Sequence, residues 1–220
     1  MKERSKQTSI FCICAAVALA VLFIVWTVLV LTADVRAIGP QDSTVGFATL
    51  NRYVHSLTGT NMTLYTITDW LGLVPIATAF GFAVLGLVQL IRRRSLARVD
   101  RSILVLGGFY VVVIAVYVLF EVLVINRRPV LIDGILEVSY PSSTTMLASC
   151  VMPTAIMQAC LRIRTRWIAW SISSAIGAFT VFMIVGRVLS GVHWASDIIG
   201  GLLISASLVL AYAAFAYNRK

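Results

Sequence analysis

An all-α integral membrane protein with six transmembrane helices is the fold class this sequence predicts, and three observations carry the prediction. Apolar residues make up 60% of the 220 residues and charged residues only 12%. With a mean hydropathy of +0.94, that balance excludes an ordinary soluble domain. Six segments each supply the roughly 20 apolar residues that a bilayer crossing takes. The basic residues gather in alternate connections, the pattern of a chain that crosses a membrane repeatedly.

The first span is placed at 9–32. Its basic start (Lys2, Arg4, Lys6) resembles that of a signal peptide, but its apolar run far exceeds the roughly 7–15 residues of a signal core, so it reads as a retained anchor. From Ala33 to Thr68 the chain lies outside the membrane. The apolar spacing around Val45–His55 there predicts an amphipathic, interfacial helix in the first outer loop, acting as a lid, a lipid-access wall or a packed cover. The second span, 70–91, has Asp69 as its cap and Pro75 inside it; the third is 103–125. The fourth, 143–161, is opened by Pro141, capped by Ser142 and interrupted by Pro153. The fifth and sixth are 167–186 and 197–217. Trp70 and Trp194 fit an aromatic belt at the outer surface. Cys12, Cys14, Cys150 and Cys160 all fall within spans, where apolar packing explains them and neither a disulfide framework nor a metal site is implied. The whole chain, 1–220, reads as a single membrane domain.

Arginine and lysine set the orientation. The N-terminal tail, the second-to-third connection (Arg92, Arg93, Arg94, Arg98, Arg101), the fourth-to-fifth turn (Arg162, Arg164, Arg166) and the C-terminal Arg219 and Lys220 hold thirteen of the eighteen basic residues, all on one side. The positive-inside rule makes that side cytoplasmic, with both termini inside. The net charge of +9 is therefore mainly a topology signal with affinity for anionic lipid, and no nucleic-acid partner is expected. Arg36, Arg52, Arg127, Arg128 and Arg187 remain outside against the rule and call for another reason to be there.

Chemistry concentrates in Gly186–Asp197. His193 and Asp197 are four residues apart, which on a helix places them on one face, so that the carboxylate can hold one imidazole nitrogen and free the other as base or nucleophile. Arg187 adds a permanent cation suited to oxyanions. The six-span topology brings two further polar clusters to the same outer face, Asn126-Arg127-Arg128-Pro129 and Tyr140-Pro141-Ser142-Ser143-Thr144-Thr145.

These three clusters resemble, in order, the signatures of the type-2 phosphatidic acid phosphatase superfamily, which includes the vanadium haloperoxidases. The last signature is Ser-Arg, five residues, His, three residues, Asp; Arg187, His193 and Asp197 match it, with Gly186 in the serine position. The first is Lys, six residues, Arg-Pro; Arg128-Pro129 match its end and Glu121 takes the lysine position. The middle one, Pro-Ser-Gly-His, stands here as Pro141-Ser142-Ser143-Thr144. The resemblance covers a phosphatase-like core at 103–217.

What the resemblance implies is a lipid phosphatase that needs no metal or cofactor. His193 would be the nucleophile that carries a phosphohistidine and Asp197 its orienting carboxylate. Arg128 and Arg187 would clamp the phosphate, with the backbone amides of Ser142 and Ser143 at a helix start, and Arg127 would offset Glu121 through an ion pair. Thr144 stands where the family has its general acid, and loss of such an acid typically costs about 10²–10⁴ in rate. His55 is a candidate replacement. The substrate expected is a membrane phospholipid or polyprenyl (di)phosphate, with the diphosphate favoured over phosphatidic acid because a good leaving group needs less protonation. The setting is a multi-pass protein of the bacterial cytoplasmic membrane with its site facing outward. The alternative is a pseudophosphatase that binds lipid phosphates without turnover; a small transporter is a third reading, which charges clustered at one end do not favour. Oligomeric state stays open.

Overall fold

The protein is a multi-pass membrane bundle of six long apolar helical stretches. The computed structural model describes residues 2–216, with side chains from Gln7 onward; Arg219, Lys220 and the side chains of Lys2, Arg4 and Lys6, which count toward the topology above, lie outside the described residues. Helix α1 (Lys2–Thr32) leads into a short hairpin, β1 (Arg36–Ala37) against β2 (Thr44–Val45), antiparallel with Arg36 opposite Val45. Two short helices follow, α2 (Ala48–Thr58) and α3 (Met62–Leu71). The remaining helices are α4 (Leu73–Arg93), α5 (Arg101–Val122), α6 (Ser143–Arg162), α7 (Arg166–Ser190) and α8 (Ala195–Ala216).

Helices α6 and α8 are the most buried of the spans. Their sequences explain this, because α6 buries Ser149, Thr154 and Gln158 and α8 buries Ser196, Ser205 and Ser207, small or polar groups that need protein partners in a bilayer. Helix α1 runs antiparallel along α8. Ser9 Oγ donates to the Ala214 carbonyl at 3.0 Å, Ser207 Oγ to that of Ala16 at 2.8 Å, and Trp26 Nε1 to that of Ser196 at 3.0 Å. At the bundle end away from His193, the Asp100 carboxylate accepts from Gln89, Arg93 and Arg162 at 2.9, 2.8 and 3.2 Å, and Arg93 in particular holds it below the usual carboxylate range. Two of the topology cations thus also staple α4, α5 and α6 together.

Several expected boundaries move, each for a local reason. The second apolar stretch begins at Met62 rather than residue 70, because Asn61 caps α3 by accepting from the Leu64 amide at 2.9 Å. Asp69 therefore lies within α3 and caps nothing. Pro75 falls in the first turn of α4, where its missing N–H costs no internal bond. The fifth span runs on to Ser190, so Arg187 is in its last turn. The sixth begins at Ala195, so His193 stands in the turn before α8 and not on one helical face with Asp197. Gly191 makes that turn: its φ of +62° is left-handed, and a Cβ there would fall 1.7 Å from the Gly59 carbonyl oxygen. Trp70 is exposed, but Trp194 is buried, its Nε1 donating to the Arg127 carbonyl at 2.7 Å, so Trp194 is no part of a belt. Helix α2 covers the region expected to be helical and packs on the bundle through Ala48 and Asn51.

Candidate active site

The site is assembled around a hairpin that follows α5. Asp133 and Gly134, both at positive φ, form a two-residue turn closed by reciprocal bonds between Ile132 and Ile135. The arms pair Arg127 with Val138, the Arg128 amide bonds the Glu137 carbonyl, and the Ser139 amide bonds the Asn126 carbonyl. Arg128 and Ser139 are thereby delivered beside the turn that carries His193.

His193 and Asp197 do not touch directly. The Ser139 hydroxyl lies between them, donating to Asp197 Oδ2 at 2.6 Å and 2.9 Å from His193 Nδ1. Since that hydroxyl spends its proton on the carboxylate, Nδ1 must be the protonated nitrogen, and the Ser139 carbonyl at 3.2 Å accepts from it as well. Nε2 is left with a lone pair and no hydrogen-bond partner although His193 is 5% exposed. Burial, with Arg128 and Arg187 close by, pushes His193 well below the ordinary histidine range. The ring is neutral at physiological pH, the state a nitrogen nucleophile needs. Asp197 is fully buried and held on its other oxygen by Asn126 Nδ2 at 2.8 Å and Ser196 Oγ at 3.2 Å, while the Trp194 amide bonds Oδ2 at 3.2 Å.

The arginines are arranged to share an anion. The Tyr65 ring of α3 lies 5.7 Å from the Arg128 guanidinium and 4.9 Å from that of Arg187, so that two like charges contact one aromatic ring. Arg187 is wholly buried; Nη2 donates to Asp69 Oδ1 at 2.7 Å and Thr144 Oγ1 at 2.6 Å, while Nε and Nη1 have no partner. Arg128 Nε lies 3.0 Å from Glu137 as an ion pair, but neither Nε nor Nη1 makes a hydrogen bond. Orphaned buried donors on two cations beside a bare imidazole nitrogen are a cradle for an oxyanion. Next to it opens a cavity of about 410 Å³, lined by His193, Arg127, Arg128, Glu121 and Glu137 at its polar parts and by side chains such as Phe120 and Met146 elsewhere. Its size suits a small ligand or a lipid headgroup.

Residues 128–220, which hold this cradle apart from Tyr65, Asp69 and the end of α5, match the family model of the PAP2 superfamily. Over that stretch, somewhat less than half of its length, the chain is similar to the PAP2 superfamily. Its fold is similar to that of the first transmembrane PAP2-type phosphatidylglycerolphosphate phosphatase from Bacillus subtilis, with a TM-score of 0.56 and 18% identity over 91% of this chain and 94% of that one. At that identity the likeness speaks to the fold. No curated protein matches the chain.

Against the PAP2 signatures, the structure brings together His193, Asp197, Arg128 and Arg187, and alters the parts expected of the others. Thr144 faces Arg187 and serves as an acceptor that helps hold the guanidinium. The Ser142 amide is spent on the Asp197 carbonyl at 3.1 Å and its hydroxyl on Thr145 at 3.0 Å, so Ser142 offers the phosphate no amide. Ser143 does line the cavity, and as the first residue of α6 its amide has no partner within the helix. Arg127 lines the cavity but its Nη1 is tied to the Leu136 carbonyl at 2.9 Å. The ion pair that forms is Arg128–Glu137; among the described residues none joins Arg127 to Glu121. His55 lies behind the site, its ring 5.7 Å from that of Trp194, and lines no part of the cavity. Gly186, in the family's serine position, answers to α3, because a Cβ there would come within 2.6 Å of the Thr68 methyl.

Sequence reasoning missed Ser139, Asn126, Tyr65 and Asp69 as site residues. Asp133-Gly134 between apolar pairs was the signal for the hairpin, and its pairing sets Ser139 against Asn126. No comparable signal in the sequence ties Tyr65 and Asp69 to the arginines.

Proposed function

We propose that the protein is a membrane phosphatase acting on a lipid phosphate or diphosphate at the extracytoplasmic face, through a phosphohistidine on His193. The observation that carries this reading is His193 itself: a buried neutral imidazole whose Nδ1–H is fixed through Ser139 to Asp197 while Nε2 lies bare beside unpartnered guanidinium nitrogens. The extracytoplasmic assignment rests on the basic connections at the opposite end of the bundle.

In the first step the Nε2 lone pair attacks phosphorus, a P–N bond forms, the P–O bond to the lipid breaks, and the departing oxygen takes up a proton from solvent water, which the proton lost in the second step replaces. Arg128 and Arg187 hold the phosphoryl oxygens as charge redistributes. As the ring becomes cationic, its Nδ1–H leans on Ser139 and through it on Asp197. In the second step water attacks phosphorus, the P–N bond breaks, and inorganic phosphate leaves with the loss of one water proton. Thr144 cannot protonate the departing oxygen as a histidine would, which favours substrates with stable leaving groups, polyprenyl diphosphate among them.

The same threonine favours a second reading, a protein that binds lipid phosphates without hydrolysing them. Phosphate release by the purified protein separates the two. The expected result is turnover that vanadate inhibits and that His193→Ala abolishes; full turnover by His193→Ala would remove the phosphohistidine mechanism, and binding without any release would leave the second reading standing.

A further inference from the structure

The arginines at the bundle end away from His193 divide into two kinds. Arg93 and Arg162 are spent on Asp100, at 2.8 and 3.2 Å. Arg164 and Arg166, on either side of Thr165 where α6 passes into α7, are exposed, and among the described residues their side chains form neither an ion pair nor a hydrogen bond. Both nevertheless line one cavity of about 510 Å³. Its walls follow from helical spacing: Ile156 and Cys160 are one turn apart on α6, and Ala169, Trp170 and Ser173 follow Arg166 at three, four and seven residues on α7. The two stripes meet where Cys160 Sγ lies 3.7 Å from Ser173 Oγ. The groove is thus cationic at the connection and mainly apolar along the helices, with no carboxylate among its lining residues. Trp167 and Trp170 are exposed beside the two arginines, as indole rings at headgroup depth are.

We infer that this groove binds an anionic phospholipid of the leaflet at that end, the cytoplasmic one by the positive-inside rule. The phosphodiester lies between the guanidinium groups of Arg164 and Arg166, and an acyl chain runs along Ile156, Ala169 and Trp170 into the bilayer. Charge decides the occupant. A zwitterionic lipid would bring an ammonium to a cavity that holds two cations and no acid. A second copy of the chain, packed about a two-fold axis through the groove, would set arginine against arginine. An anionic headgroup neutralises both, and its chain fills the apolar length between the helices. The site stands apart from the cradle around His193, because α7 carries Arg166 in its first turn and Arg187 in its last, about 30 Å away at about 1.5 Å per residue. It holds whether or not the protein hydrolyses phosphate esters.

The test is quenching of tryptophan fluorescence in the full-length protein in detergent by phospholipids brominated on one acyl chain, phosphatidylglycerol against phosphatidylcholine. At about fivefold for each basic residue near an anionic headgroup, the two arginines predict half-maximal quenching by phosphatidylglycerol at a concentration about thirtyfold lower. Arg164→Gln with Arg166→Gln is expected to abolish that difference. Arg92→Gln with Arg94→Gln removes the same charge from the same end but outside the groove, and is expected to keep it. Trp170→Phe should remove most of the saturable quenching, and glycerol phosphate, which has the anion without the chain, should not displace the lipid. Equal quenching of the parent by the two lipids, an equal loss in the Arg92 and Arg94 variant, or saturable quenching unchanged by Trp170→Phe overturns the inference. Displacement by glycerol phosphate also overturns it, since the groove would then take a soluble phosphate and its apolar wall no part in binding.

Discussion

Replacing Ser139 with alanine removes one oxygen atom from the centre of the site. That oxygen donates to Asp197 at 2.6 Å and lies 2.9 Å from His193 Nδ1, so its loss uncouples the imidazole from the one carboxylate that reaches it among the described residues. The surroundings are otherwise kept: Asp197 retains Asn126 at 2.8 Å and the Trp194 amide at 3.2 Å, and Nδ1 retains the Ser139 carbonyl at 3.2 Å. The protein should therefore fold, and the cost should fall on the step in which the ring becomes positive. A hydrogen bond to a charged group contributes about 1.5–3 kcal/mol. At about 1.4 kcal/mol per decade, kcat is expected to drop roughly tenfold to a hundredfold with little change in KM, because the arginine cradle is untouched. The assay is phosphate release from a chromogenic phosphate ester in detergent, with Tm measured alongside. A kcat within twofold of the parent, in a protein of unchanged Tm, would refute the idea that Asp197 acts on His193 through Ser139.

Other perturbations probe the remaining parts. Because burial and the cations Arg128 and Arg187 hold His193 below the ordinary histidine range, the neutral nucleophile is lost only as pH falls through that lowered value; the acid limb of kcat/KM should lie below the ordinary histidine range, and Arg128→Gln should move it upward. An acid limb unmoved in that variant would remove Arg128 as a cause. Thr144→His restores a general acid and is expected to raise turnover of a phosphate monoester such as phosphatidic acid by about 10²–10⁴-fold, the range such groups supply; no gain would place the limit elsewhere than leaving-group protonation. Gly186→Ser, which installs the family's residue, should lower stability by about 1–3 kcal/mol through its clash with the Thr68 methyl, and Thr68→Ser should restore the Tm of the double variant. A single variant as stable as the parent would show that α3 gives way freely there.

Much of this architecture is written in the sequence because membrane solvation leaves few options: apolar length gives the six spans, and the proposed sidedness rests on the arginine count alone. The proposed nucleophile, carboxylate and clamp stand out for a different reason, since Arg187, His193 and Asp197 sit within eleven residues of one another and the structure brings them together. What stayed hidden depends on tertiary contact. His193 and Asp197 read as one helical face, but Gly191 holds the histidine in a turn and Ser139, 54 residues away, fills the gap. Ser142 reads as a phosphate-binding amide until the Asp197 carbonyl is seen to occupy it. Asp69 reads as a cap because an acidic residue before an apolar run ordinarily is one; the helix in fact starts at Met62 and carries Asp69 to Arg187, 118 positions along the chain. Thr144 reads as a missing acid, and its position against the same guanidinium gives it a holding role instead.

The central claim is that His193 Nε2 becomes covalently phosphorylated during turnover. Rapid quenching of the working protein with a chromogenic phosphate ester, under alkaline conditions that preserve phosphohistidine, followed by peptide mass spectrometry, tests it most directly. The expected result is a phosphoryl group on the peptide that contains His193, formed no more slowly than the steady-state rate and absent from His193→Ala. Sustained phosphate release with His193 unmodified at every quench time would contradict it.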